Sequence, residues 1–379
     1  MQKEIIILGD IEMGGGTNTD DFISDKALSR LIYSLCNKNV PVDLVLNGDT
    51  FDFLKCPHII DNNAVYPRHI TSEISLAKLR LIYRAHTRVF EALKRFAAEK
   101  KNRLFFIIGN HDPDLVHPEL QEEIRVLLDS CDNIIFSFYY NEHQVHAEHG
   151  HQYDFLNKVN EKRLFLNYKG QQILSIPWIA FGIASKFMYL KEKYPFLERI
   201  VPKPAIFSHH KAAAKIIHKK AIEYFLKSMI YYPIRYYYDP TYTFPRELLK
   251  EFYRRIKNVH WDVDEIIHVF KRKRRKKMHR NRLYVLGHVH KHYVEEKDGI
   301  SIIHPDTWRD EYFMDDRTKE LMPKTKRYVQ VIVHDNYNLQ WKLVACPVNR
   351  STFHFDDVVS DEKKHLGSAA AEEGYDLKI

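Results

Sequence analysis

Five short clusters of the 379-residue chain hold residue types that could do chemistry together. They are Asp10-Ile11-Glu12, Gly48-Asp49-Thr50-Phe51-Asp52, Gly109-Asn110-His111-Asp112, His149-Gly150-His151 and Gly287-His288-Val289-His290. Each follows a short, largely apolar run that reads as a strand. Together they offer carboxylates, a neutral amide oxygen and imidazoles, the donors that hold two divalent ions side by side. Two ions about 3.5–4 Å apart lower the pKa of a bound water and clamp phosphate oxygens, which suits phosphoester hydrolysis. Asp10 and Glu12 leave a strand end two residues apart, so both can face one ion. Asp49 follows a glycine that lets the backbone approach closely and is the candidate bridge. Asn110 offers an oxygen; His149, His288 and His290 offer nitrogens. His111 stands beside Asn110 with Asp112 next to it, so a histidine general acid oriented by a carboxylate is predicted. Singly these are weak signals, since Gly-Asp after a strand is a common turn and the chain has 22 histidines. Five clusters at successive strand ends are far more specific.

The elements that must position them follow from periodicity. Strands are predicted over residues 4–9, 42–47 and 104–108. They alternate with helices over 24–37, with Ser24 as N-cap, and over 73–100. Such units give parallel strands with right-handed crossovers, and ligands gather at the carboxyl ends of the strands. A helix over 118–129 and strands over 134–138 and 144–148 follow. Residues 154–282 read as a helical, basic and aromatic insertion. Strands resume at 283–286, 301–304, 328–334 and 339–345. The reading is one α/β core, residues 1–153 and 283–356, interrupted by the insertion 154–282, with a tail over 357–379 predicted to be disordered.

Lys and Arg outnumber Asp and Glu by 58 to 50, a formal charge of +8 that favours an anionic partner. Cys36, Cys56, Cys131 and Cys346 are widely spaced, without a CxxC pair, and are read as free buried thiols. No run reaches the ~18 apolar residues needed to span a bilayer, and residues 1–3 are expected to lead straight into the first strand without a secretory leader. A cytoplasmic location, with peripheral membrane contact, is expected.

Gly48-Asp49-x-x-Asp52, Gly109-Asn110-His111-Asp112, His149-Gly150 and Gly287-His288-x-His290 resemble the calcineurin-like metallophosphoesterase family. His304-Pro305-Asp306-Thr307-Trp308 resembles the segment that follows its last histidines. The resemblance sharpens the open α/β sheet to a four-layer α/β/β/α sandwich with a large helical insertion. It implies that Asp10, position 12, Asp49 and His290 hold one metal and that Asp49, Asn110, His149 and His288 hold the other. His111 would be the leaving-group acid or a phosphate contact, Asp112 its orienting partner, and Asp52 a support behind the ligands. His151 has no clear place in the motif and is kept as a candidate substrate contact, against a surface or packing role. Two divalent ions are implied, Mn²⁺ first, with Mg²⁺, Fe²⁺ or Zn²⁺ as alternatives. Glu12 departs from the family's usual Asp-x-His. An anionic oxygen in place of a nitrogen favours harder ions such as Mn²⁺ or Mg²⁺; loss of one metal is the other reading. Residues 14–21, rich in glycine and polar groups, read as flexible, either a loop over the site or a connector.

The insertion should carry specificity. Its apolar stretch 176–184, followed by Lys186, Lys191 and Lys193, suits a bilayer surface, an acyl pocket or packing on the core. The tyrosine-rich stretch 231–238 suits stacking on nucleobases or ordinary packing. The basic run 271–277, followed by His279, Arg280 and Arg282, suits anionic lipid or nucleic acid, with Arg280 and Arg282 as substrate contacts. The family's UDP-2,3-diacylglucosamine hydrolase-like branch carries a helical insertion as a lipid-binding cap; the insertion here is larger and offers no specific match. The leading reading is a metal-dependent phosphoester hydrolase using metal-activated water on a bulky anionic or lipid-linked phosphate. The alternatives are a Mn²⁺-dependent nuclease and a non-catalytic scaffold of the same fold.

Overall fold

The computed structural model describes residues 2–130, 132–244, 263–274, 278–335 and 338–377. Cys131 and the basic residues 275–277 lie outside them. Two sheets face each other. The first has six strands in the order Leu339–Cys346, Lys326–Val333, Lys3–Leu8, Val42–Asn47, Arg103–Ile107, Ile134–Ser137. Its last four run parallel, and Lys326–Val333 is antiparallel both to Lys3–Leu8 and to the edge strand Leu339–Cys346. The second has five strands in the order His292–Lys297, Ile300–Pro305, Leu283–Leu286, Val145–Glu148, Tyr139–Glu142. Leu283–Leu286 is parallel to both of its neighbours.

The inner faces alternate as strands must. Ile5, Ile7, Val45, Phe105 and Ile107 from the first sheet pack on Val145, Ala147, Leu283, Val285 and Ile303 from the second. The opposite face of the first sheet, with Ile6, Leu8, Leu44, Leu46 and Phe106, is covered by helices Asp25–Cys36, Ser72–Ala85, Thr87–Ala97 and Pro118–Leu127. Outside the second sheet, helix Val263–Arg274 lays Ile266, Ile267 and Phe270 over Tyr284, Leu286 and Ile302. The architecture is therefore the α/β/β/α sandwich. Its fourth layer comes from a helix that the sequence reading had assigned to the insertion.

Several local expectations need correction. The long helix over 73–100 is two helices, broken at His86. The break places the His86 ring between Asp20 and Asp25, at 3.0 and 2.9 Å, where a continuing helix would not. Ser24 occupies the N-cap position, but its hydroxyl makes no capping bond. Residues 14–21 are not a loose connector, because the Asp20 carboxylate accepts the backbone N–H groups of Gly14, Gly16 and Phe22. The tail is ordered: helices Phe355–Ser360 and Glu362–Glu373 bury Phe355, Val358, Leu366, Ala369 and Ala370. Those side chains pack on Phe196, Leu197 and Ile206 of the insertion and on Tyr312. Composition favoured disorder, but the small alanines let the helix approach a surface that only the folded insertion provides.

The insertion opens with a hairpin, Phe165–Tyr168 and Gln171–Leu174, before its helices. The apolar stretch 176–184 is turned inward, with Ile176, Ala180 and Phe181 packed on Leu54 and Ile70, which corrects the bilayer-surface reading for that segment. Strand Ile200–Val201 joins Tyr312–Met314, Glu320–Pro323 and Phe353–His354 in a small sheet, tying the insertion to the last part of the chain.

Candidate metal centre

The five clusters meet at the carboxyl ends of their strands. The backbone there is unusual: Glu12, Asp49 and His288 have φ of 57°, 49° and 81°, in the left-handed region that non-glycine residues rarely adopt. Such strain persists only where the surroundings enforce it, and it collects at functional sites. Glycines let the clusters close on one another. A methyl group at Gly48 would overlap the His149 ring, one at Gly109 the Asp49 carboxylate, and one at Gly287 would stand 2.7 Å from Asp10 Oδ1.

The donor atoms converge in two neighbouring groups. In the first, His149 Nε2 lies 3.0 Å from both Asn110 Oδ1 and Asp49 Oδ2. Single donor atoms of Asp49, His149 and His288 all fall within 4.8 Å of one another. In the second, His290 Nε2 lies 3.0 Å from Asp10 Oδ2 and 3.3 Å from Glu12 Oε1. Asp10 also accepts the backbone N–H of His288 at 3.0 Å. Asp10, Glu12, Asp49 and His149 are all essentially buried. So many buried carboxylates and imidazoles facing one space are the chemistry of a divalent-cation site, because buried charges need partners. The donor set fits two ions.

Supports behind these groups hold them in place. Trp308 N–H and Thr307 Oγ1 both donate to the Asp10 carbonyl, at 2.7 and 2.8 Å. His290 Nδ1 faces Glu311 Oε1 at 3.1 Å, and His288 Nε2 faces Asp154 Oδ2 at 3.1 Å. Neither Glu311 nor Asp154 was anticipated. Asp154 lies one residue past the boundary drawn for the insertion; its distance of five residues from His149 is a faint signal at best.

His111 sits at the edge of the centre, and its N–H donates to Asp49 Oδ1 at 2.7 Å. Its Nδ1 is 3.0 Å from Asp52 Oδ1. The expected Asp112 partnership is corrected here. Asp112 is turned the other way and accepts the backbone N–H of Gly109 at 2.6 Å and of Thr50 at 2.7 Å. It ties two of the ligand loops together, whereas Asp52 orients the imidazole. Burial pulls His111 down, but Glu12, Asp52 and Asp49 outweigh it and raise it to about 9. The ring is thus held protonated, as a proton donor must be.

Glu12 has cationic neighbours the sequence reading missed. Its Oε2 lies 2.9 Å from Lys55 Nζ, and Arg309 Nε is 3.7 Å away. Burial alone would push the Glu12 carboxyl up; Lys55 and Arg309 outweigh it and hold it well below the usual range. The same cations reach Asp21, which Lys191 from the insertion also holds at 2.6 Å. Lys55 follows Asp52 by three residues, and its N–H donates to Asp52 Oδ1. The turn that positions Asp52 therefore also delivers the cation.

His151 is buried, its ring centroid 5.3 Å from that of His149, and its Nδ1 has no protein partner. Burial first, then His149 and His288, holds it well below its usual value, hence neutral. Arg280 and Arg282 are exposed, and Arg282 N–H pairs with Gln144 at the start of strand Leu283–Leu286. His288 leaves the other end of that strand. At about 3.3 Å per residue the strand sets Arg282 roughly 20 Å from the ligands. The expectation of substrate contacts from Arg280 and Arg282 is withdrawn on that ground.

A family model for calcineurin-like phosphoesterases matches residues 4–292. The chain belongs to this family. It is a metal-dependent hydrolase acting on phosphoester bonds, and candidate metal-ligand groups are present among the described residues. The search of curated proteins found no match. No helix among the described residues is long and apolar enough to cross a membrane.

Proposed function

We propose that the chain hydrolyses a phosphoester or pyrophosphate with two divalent ions, Mn²⁺ first among them. One ion would be held by Asp10, Glu12, Asp49 and His290, the other by Asp49, Asn110, His149 and His288. The observation that carries this reading is the convergence of those side chains from five loops into two neighbouring groups, Asp49 and Asn110 against His149, and Asp10 and Glu12 against His290. When bound, the ions would supply a water acidic enough to attack near neutral pH and would stabilise phosphate oxygens in the transition state. The chain's own work is to place the donors, keep His111 protonated against Asp52, and deliver that proton to the departing oxygen. Asp112 fixes the distance between the Asp49 and Asn110 loops. His151, neutral and with a free ring nitrogen, would accept or donate one hydrogen bond to the substrate.

The substrate reading is a bulky anionic phosphate, presented at an anionic membrane surface. Helix Lys211–Arg235 supports it: Ile222, Leu226, Ile230 and Ile234, four residues apart, form one exposed stripe. Lys215, Lys219 and Lys227 are exposed on the same helix. An apolar stripe flanked by lysines suits the interface of an anionic bilayer. Exposed Tyr237 and Tyr238 at its end leave stacking on nucleic acid as the rival.

The test uses metal-stripped protein reloaded with Mn²⁺. Turnover of bis-p-nitrophenyl phosphate and p-nitrophenyl phosphate is compared with that of an Asp49→Ala variant. Metal-dependent turnover that the variant lacks is expected; equal rates would overturn the reading. Flotation with vesicles containing or lacking anionic lipid separates the membrane from the nucleic-acid version.

A further inference from the structure

Glu12 places a carboxylate where a neutral imidazole would add no charge. Its two oxygens have different surroundings. Oε1 points into the space shared with His290 Nε2 and Asp10. Oε2 accepts a hydrogen bond from Lys55 Nζ at 2.9 Å. Lys55 is only 3% exposed. Burying an ammonium costs several kcal/mol unless partners compensate it. Its partners are Glu12, Asp21 at 2.7 Å, Asp52 at 3.1 Å and Glu198 at 3.5 Å. Asp21 has three further cations, Lys191 at 2.6 Å, Arg309 at 3.1 Å and Arg199 at 3.8 Å; Asp52 has His111, and Glu198 has Lys191 and Arg309. Arg309 directs its Nη2 to Asp21 and Glu198 and stands 3.7 Å from Glu12. Lys55 is therefore the cation among the described residues that hydrogen-bonds the Oε2 side of Glu12.

We propose that Lys55 is a positioning residue for Glu12. Its ammonium offsets the charge that glutamate adds to the centre and occupies Oε2, so that Oε1 alone faces the ion. The pair Glu12–Lys55 then does the electrostatic work of one neutral ligand, and either residue without the other is mismatched. This rests on the metal-site reading above.

A double-mutant cycle tests it with Glu12→His, Lys55→Met and both together. The readouts are Mn²⁺ affinity and stoichiometry by titration calorimetry on stripped protein, and melting of the metal-free protein. Lys55→Met alone leaves an unbalanced carboxylate, so Mn²⁺ should bind about tenfold tighter at one site while the metal-free melting temperature falls. Glu12→His alone leaves an ammonium beside the ion, so that site should weaken by about tenfold. The double variant should bind Mn²⁺ within about threefold of wild type, and the coupling is read from metal-free melting. Glu12→His should also melt below wild type, its buried ammonium having lost a partner. The double variant should melt above either single variant, because each change removes the charge the other leaves unbalanced. Lys55→Arg, which keeps the charge, should also bind within about threefold. Should Lys55→Met not fold, the same cycle with Glu12→Gln and Lys55→Gln gives the coupling. Wild-type protein that takes up two ions while the melting losses of the single variants simply add in the double variant overturns this inference alone. Wild-type protein that takes up none overturns the metal reading and this one with it.

Discussion

The two halves of the centre are built from different charges. On one side Asp49, Asn110, His149 and His288 form a mixed set of one carboxylate, one amide and two imidazoles. On the other, Asp10 and Glu12 bring two carboxylates to one imidazole, and Lys55 and Arg309 crowd in behind. The first half is complete within the five clusters. The second is finished by cations from elsewhere: Lys55 after the second cluster, and Arg309 beyond the last histidines. A change of one ligand type is thus accompanied by a change in its surroundings, and the electrostatics of the half is a property of the group.

Several substitutions break or sharpen this contrast. Asp49→Ala strikes the first half and the loop of His111 together, because Asp49 faces His149 and accepts the backbone N–H of His111. Turnover of an aryl phosphodiester should fall by about 10³-fold or more, while the variant stays folded by circular dichroism. A region outside the centre serves as the control. His86 is buried between Asp20 and Asp25, and Tyr375 from the last helix region also reaches Asp20. His86→Leu removes the imidazolium from between two buried carboxylates and should cost about 3–5 kcal/mol in denaturant unfolding, with Mn²⁺ stoichiometry unchanged. Burial lowers His86, but Asp20 and Asp25 more than reverse this and raise it from 6.5 to about 10. A raised folded value means that its contribution is fully present below pH 6.5 and is lost as pH rises through about 10. Wild-type stability should decline across that window more steeply than that of His86→Leu.

His111→Gln and Asp52→Asn act at the edge of the two halves. Each should lower kcat by about 10²-fold with little change in Mn²⁺ binding, since proton delivery is lost and the ligands are kept. Asp112→Asn should lower the melting temperature more than Asp52→Asn does, because it weakens the tie between two ligand loops. An opposite ranking would restore Asp112 as the partner of His111. The smallest effect is expected at Arg282, far from the ligands. Arg282→Ala should change kcat/KM by less than about twofold, the range of a surface substitution.

What was legible in the sequence divides along the same line. Asp10, Asp49, Asn110, His149, His288 and His290 could be read because each stands at the end of a short apolar strand, and strand ends in such sheets share one edge. The sandwich became legible once the resemblance was added; alternation alone gave an open sheet. Lys55, Arg309, Glu311 and Asp154 could not be read, because their roles depend on which loops fold against which. The partner of His111 was misassigned because adjacency in sequence favoured Asp112. At a tight turn, neighbouring side chains point apart, and backbone N–H groups captured Asp112 instead. The break at His86 was hidden by good helix formers on both sides, and one partner of the His86 ring, Asp20, lies 66 residues away. The ordered tail was missed because its alanines and glutamates resemble a solvated segment until the insertion gives them a surface.

The central claim is that both halves hold an ion despite Glu12. Anomalous diffraction at the manganese edge from Mn²⁺-loaded crystals tests it directly. The account expects two peaks about 3.5–4 Å apart, one among Asp49, Asn110, His149 and His288, and one among Asp10, Glu12, Asp49 and His290. A single peak, with Lys55 Nζ standing where the other should be, would contradict it.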